Sequence, residues 1–151
     1  HGCLVGSEMC IRDRIIIVEP DRADCVLQSI KNNKLKKIRI KRESIMGGMS
    51  CNEMSLVPWQ ILKKTSNCCV SISDNNVAKT VAGLRDKKFS KNSIIGGECA
   101  TPGIIGLIGI CNDKNARKLI SLDENSNVLV IGCEGNADVK LYKQLLSKGR
   151  K

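Results

Sequence analysis

Ser93-Ile94-Ile95-Gly96-Gly97-Glu98-Cys99-Ala100-Thr101-Pro102-Gly103 is the stretch on which the reading of this chain turns. Two branched apolar residues run into a glycine pair, and a carboxylate follows at once. A helix start comes next: Thr101 can accept from free amides as an N-cap, and Pro102 suits the first helical position, where no donor is needed. Strand, glycine turn, polar side chain and helix in succession is how an α/β protein presents groups to a ligand at the carboxyl end of its sheet. The same order recurs at Val128-Leu129-Val130-Ile131-Gly132-Cys133-Glu134-Gly135, and more loosely at Ile15-Ile16-Ile17-Val18-Glu19-Pro20-Asp21. Such turns meeting on one edge of a sheet make a pocket, and this chain reads as half of one.

Outward from that stretch, the bulk composition sets bounds. A chain of 151 residues with 42% hydrophobic content is long and apolar enough for one domain with a core. Trp59, Phe89 and Tyr142 are its three aromatic residues, so the core must be aliphatic, which suits strands covered by helices on both faces. The nine cysteines include no Cys-x-x-Cys pair, and His1 is the single histidine, which argues against zinc. An odd count without a convincing signal peptide points to free thiols in a reducing, cytoplasmic setting, most of them acting as small buried hydrophobes. No apolar run reaches the ~20 residues of a membrane span. The net charge of +10 invites a small basic nucleic-acid-binding domain, but stacking aromatics, a recognition helix and a zinc pattern are all missing.

Taken in order, residues 1–14 differ in character from the rest. Their run Val5-Gly6-Ser7-Glu8-Met9-Cys10-Ile11-Arg12-Asp13-Arg14 resembles a translated sequencing adapter, so 1–14 is set aside as a non-native tail and 15–151 is read as the protein. On that expectation the natural chain is entered mid-protein at Ile15. Residues 15–18 predict a buried parallel strand, and Asp21 can cap a helix carrying Ala23, Val26, Leu27 and Ile30. In the basic run 31–42, Ile38 and Ile40 alternate with Lys37, Arg39 and Lys41, predicting a half-exposed strand whose charged side is either a solvated edge or an anion-binding strip. Residues 58–64 predict a helix opening with proline and ending in cations. Residues 68–72 predict a second strand. Ser73 or Asp74 then caps a helix with a Val77, Val81 and Leu84 stripe. Gly103, Gly106 and Gly109 along one helix imply close packing against a sheet or a ligand. Residues 115–120 predict a further helix, 128–131 a last strand, and 138–147 a closing helix with Val139, Tyr142, Leu145 and Leu146. Strands and helices alternate, so the class is α/β.

Five runs, in order, carry a resemblance to a known family. They are Val18-Glu19-Pro20-Asp21-Arg22-Ala23-Asp24-Cys25, Ile45-Met46-Gly47-Gly48-Met49-Ser50-Cys51-Asn52-Glu53, Trp59-Gln60-Ile61-Leu62, Gly97-Glu98 and Glu134-Gly135-Asn136-Ala137-Asp138. Together they resemble diaminopropionate ammonia-lyase, of the fold-type II pyridoxal-phosphate group that includes threonine dehydratase and tryptophan synthase β. The resemblance implies the C-terminal portion of such an enzyme, with a partial parallel sheet flanked by helices. It implies α,β-elimination of 2,3-diaminopropionate to pyruvate and ammonia, with pyridoxal phosphate as electron sink. It further implies a homodimer when complete. The family's Schiff-base lysine, acid/base residue and phosphate loop fall upstream of Ile15, so this portion alone is expected to be inactive. A relative acting on serine or threonine is the alternative.

Two cofactor-binding residues are carried over. Cys133 falls where the family has a hydroxyl facing the pyridine nitrogen, and its thiol would leave that nitrogen largely unprotonated. A buried thiol in a turn is the plainer reading. Glu98 falls at the family's glutamate beside the ring, or else is a capping carboxylate before the helix at Thr101. The chain departs from the family at Cys99-Ala100-Thr101, where Ser-Gly-Ala is usual, at Asn52 for glycine, and at Asn136 and Asp138 for an acidic pair.

Overall fold

The computed structural model describes residues 13–151. The expected non-native tail falls almost entirely outside them. Strands β1 (Ile15–Pro20) and β2 (Ser66–Ile72) pair in parallel, Ile16 opposite Cys68 through Pro20 opposite Ile72. A parallel pair needs a long crossover. Here it runs through α1 (Cys25–Lys31), a 3-10 turn at Gly47–Met49 and α2 (Leu56–Thr65). After β2 come a 3-10 turn at Asp74–Asn76, α3 (Val77–Arg85), a 3-10 turn at Glu98–Ala100, α4 (Pro102–Asn112), α5 (Lys114–Leu119) and α6 (Val139–Gly149). Among the described residues no helix is long and apolar enough to cross a membrane.

The sheet is smaller than the apolar runs predict. Residues 93–95, 128–131 and 37–41 are not strands. A branched apolar run favours extended backbone, but a ladder also needs a neighbour for its donors and acceptors. The Ile94 amide donates to the Leu84 carbonyl at 3.0 Å, and the Ile38 amide to the Asn52 carbonyl at 2.8 Å. Residues 37–41 do keep the expected alternation, with Ile38 and Ile40 half-buried and the cations exposed. With two strands, β1 is half-buried over most of its length, and full burial is reached at Glu19 and Pro20.

The core lies where α3, α4 and α6 meet the sheet. Val77 and Val81 are fully buried with Met46, and Ile72, Ile105, Tyr142 and Leu145 pack around them. Each such aliphatic side chain contributes roughly 1.5–3 kcal/mol by leaving water. The Val77, Val81 and Leu84 stripe is thus the inner face of α3. Packing also explains two of the α4 glycines. A Cβ on Gly106 would stand 2.8 Å from Val18 of β1, and one on Gly103 would stand 2.6 Å from Val130, whereas Gly109 faces open space.

Two helix starts differ from expectation. Asp21 does not cap α1. The carboxylate of Glu19, at the end of β1, accepts from the Val26 and Leu27 amides at 3.0 and 2.9 Å. Thr101 does not cap α4 through its side chain either, because its hydroxyl donates back to the Glu98 carbonyl at 2.8 Å. Pro102 does occupy the start of α4. Asp138 caps α6 through the Leu141 amide at 2.9 Å.

Candidate functional site

The two glycine turns meet. The Gly97 amide donates to the Glu134 carbonyl at 3.1 Å, and the Cys99 amide donates to Glu134 Oε2 at 2.7 Å. The approach is close enough that a Cβ on Gly97 would lie 2.2 Å from the Gly135 carbonyl oxygen. Glu98 is half-buried on its 3-10 turn, and Cys133 is exposed on the facing turn. Cys133 is therefore not the buried thiol of the plainer reading. Glu98 leaves the α4 amides uncapped, since no side chain takes that position.

A third segment joins them. Cys99 is buried, and a Cβ on Gly48 would lie 3.3 Å from its sulfur. Burial pushes the Cys99 thiol up to about 11; a hydrogen bond from the Gly48 backbone opposes this, and the Glu134 carboxylate reinforces it. The 45–49 segment is held by a polar network at the end of β2. Asp74 accepts from Arg22 Nη1 at 2.7 Å and from the Ile45 amide at 3.1 Å, and the Ser44 hydroxyl donates to it as well. Arg22 reaches on to the Glu43 carbonyl at 3.2 Å. This network links two of the runs that carry the resemblance, and the sequence offers no local signal for it, since Arg22 and Asp74 are far apart in the chain.

The carboxylates of Glu98 and Glu134 and the Cys99 sulfur lie within 4.8 Å of one another. Two carboxylates and a sulfur are possible cation donors, but a thiol held protonated at neutral pH is a poor ligand. Glu134 is the residue that sequence reasoning missed as a site member. Its place one residue beyond Cys133, in a turn of the same pattern as the one around Glu98, was the available signal. An open groove of about 960 Å³, bordered by Lys37, Arg39, Cys51 and Glu53, lies elsewhere, along the basic run.

Parallel strands, flanking helices and glycine turns converging on one rim define the class: the chain has the α/β fold of the fold-type II pyridoxal-phosphate enzymes. The particular likeness is to diaminopropionate ammonia-lyase. Over 138 residues, 89% of its length, the chain is 30% identical to the enzyme of Escherichia coli K12, and it is 28% identical over 145 residues to that of Salmonella typhimurium LT2. It spans about a third (35%) of the length of these curated relatives. The Escherichia coli enzyme solved with D-serine superposes with a TM-score of 0.79 at 28% identity, covering 91% of this chain and 34% of that one. The same enzyme solved with an aminoacrylate-PLP azomethine reaction intermediate gives 0.77 at 29% identity, covering 89% and 34%. A bacterial-type threonine deaminase, at 12% identity and a TM-score of 0.56 over 64% of this chain, shares the fold. No family model matches the sequence.

Proposed function

We propose that residues 15–151 are the C-terminal portion of a pyridoxal-phosphate-dependent ammonia-lyase that converts 2,3-diaminopropionate to pyruvate and ammonia. The observation that carries this reading is the meeting of the 97–101 and 132–135 turns, joined by the Gly97 and Cys99 amides at Glu134. It puts both carried-over residues on one rim. When bound, pyridoxal phosphate supplies the electron sink for α-proton removal and loss of the β-amino group. The residues present suit the ring end of that cofactor. Cys133 is exposed and so free to meet the pyridine nitrogen as a neutral donor or acceptor, and Glu98 stands on the adjoining turn beside the ring. The Schiff-base lysine comes from polypeptide outside residues 15–151, so these residues alone are inactive. The complete protein is a homodimer of the cytoplasm acting in amino-acid catabolism.

The test is made in the full-length protein that carries these residues. Pyruvate release from 2,3-diaminopropionate is compared with pyruvate from serine and 2-oxobutyrate from threonine. The reading expects diaminopropionate to lead in kcat/KM by about tenfold or more, the margin that polar recognition of an amino group allows. A lead for serine or threonine selects the dehydratase-like alternative. Failure on all three substrates, with no visible-absorbing cofactor bound, ends the reading.

A further inference from the structure

We propose that Glu134 is a positioning residue, a clamp that holds the 97–101 turn against the 132–135 turn and thereby sets how Glu98 stands relative to Cys133. What the pair faces rests on the function proposed above; the clamp itself does not. Glu134 works from both ends. Its carbonyl takes the Gly97 amide at 3.1 Å, and its carboxylate takes the Cys99 amide at 2.7 Å. Those two amides flank Glu98, so the backbone on either side of Glu98 is tied to a single residue of the other turn. Cys133 is the neighbour of that residue, and its place follows with it.

Three features make the clamp stiff. The Cys99 bond is charge-assisted and short, the stronger kind of hydrogen bond. Glu134 is half-buried, where competition from water is reduced. The fit leaves no slack, because Gly97 has room for a hydrogen and none for a methyl: a Cβ there would also lie 2.9 Å from Glu134 Oε2. Glu98 itself makes no side-chain hydrogen bond across to the facing turn among the described residues, which leaves its carboxylate available to a ligand while its backbone is held.

Hydrogen exchange in the full-length protein tests the clamp, comparing E134A and E134Q with the parent. Loss of a charge-assisted bond to a part-buried amide is expected to speed exchange at residues 97–100 by about tenfold or more in E134A, with α3 and α6 unchanged. Glutamine keeps an acceptor oxygen, so E134Q should recover most of the protection. In parallel, iodoacetamide labelling of Cys99 should rise in E134A and stay low in E134Q. Equal exchange at 97–100 in parent and E134A overturns the proposal, as does an E134Q that is as unprotected as E134A. If E134A is globally unfolded, E134Q alone decides, by keeping or losing the protection. Pyridoxal phosphate titration of the same variants, read by visible absorbance, separates the two ideas. A clamp that responds as stated in a protein that never binds the cofactor sinks the functional reading and leaves the clamp standing.

Discussion

Glu19 closes β1 with a carboxylate that is 7% exposed, and burial raises its pKa above the ordinary carboxylate value against the pull of the Val26 and Leu27 amides. A carboxyl whose pKa is raised on folding binds its proton more readily in the folded chain. Stability from this group is therefore greatest below the unfolded value and falls as pH rises through the folded one. Chemical denaturation across the acidic range up to neutrality should show that decline, and E19Q should flatten it; an unchanged slope would assign it to another group. Two thiols share this site, Cys25 and Cys69, whose sulfurs lie 3.8 and 3.7 Å from the Glu19 oxygens. Burial first and the Glu19 charge second push them up to about 11 and about 12. Since the thiolate is the reactive form, brief alkylation in mildly alkaline buffer should mark the exposed Cys51, Cys111 and Cys133 before Cys25, Cys69 and Cys99. Peptide mass spectrometry reads the order, and early labelling of Cys69 would contradict the assigned burial. Part of this was legible in the residues: Cys25, Cys69 and Cys99 are hydrophobe-like, as expected of cysteine. Cys133 is not, because no partner strand flanks its turn and water reaches it.

Helix α6 rests on α3, and glycine decides how closely. A Cβ on Gly149 would come within 2.0 Å of the Ala78 carbonyl oxygen and 2.9 Å of the Ala82 Cβ. G149A should therefore push the helices apart and lower stability by about 1–3 kcal/mol, the usual cost of overpacking, despite alanine's better helix propensity. A raised Tm would show that the helices can yield at no cost. Arg150 adds a bidentate pair to Asp86, at 3.0 and 2.6 Å, at the end of the same interface. On the inner face of α6, the Tyr142 hydroxyl is buried with no hydrogen-bond partner among the described residues. Y142F removes a polar group that burial penalises, so its Tm should equal or exceed the parent's; a fall of several degrees would reveal a partner for that hydroxyl. The elements themselves were largely readable. The α3 stripe, Pro102 at the start of α4 and the Asp138 cap of α6 follow from local spacing. The caps expected at Asp21 and Thr101 are absent, since a carboxylate arriving from β1 reaches the α1 amides and the Thr101 hydroxyl turns back to Glu98.

Across the whole molecule, apolar side chains are left in water along one region: Ile94 and Ile95 are 43% and 50% exposed, and Leu129 and Ile131 are 86% and 78% exposed. An extended apolar run with open backbone groups invites pairing with another chain. Residues 15–151 prepared alone should self-associate in light scattering, and L129K with I131K should reduce it; a clean monomer without the substitutions would argue that these residues find cover within the chain. Such behaviour suits a chain spanning a third of the length of its relatives. The sequence by itself determined the α/β class, the parallel pair of β1 and β2, most helix positions and the five runs that carry the family likeness. All of these depend on contacts between near neighbours or on the order of residues along the chain. Only the tertiary structure decided that 93–95 and 128–131 are not strands, that Glu19 serves α1, and that Glu134 joins the two glycine turns. A ladder, a borrowed cap and a meeting of loops each need a partner distant in sequence, and propensity is silent about which distant group will arrive.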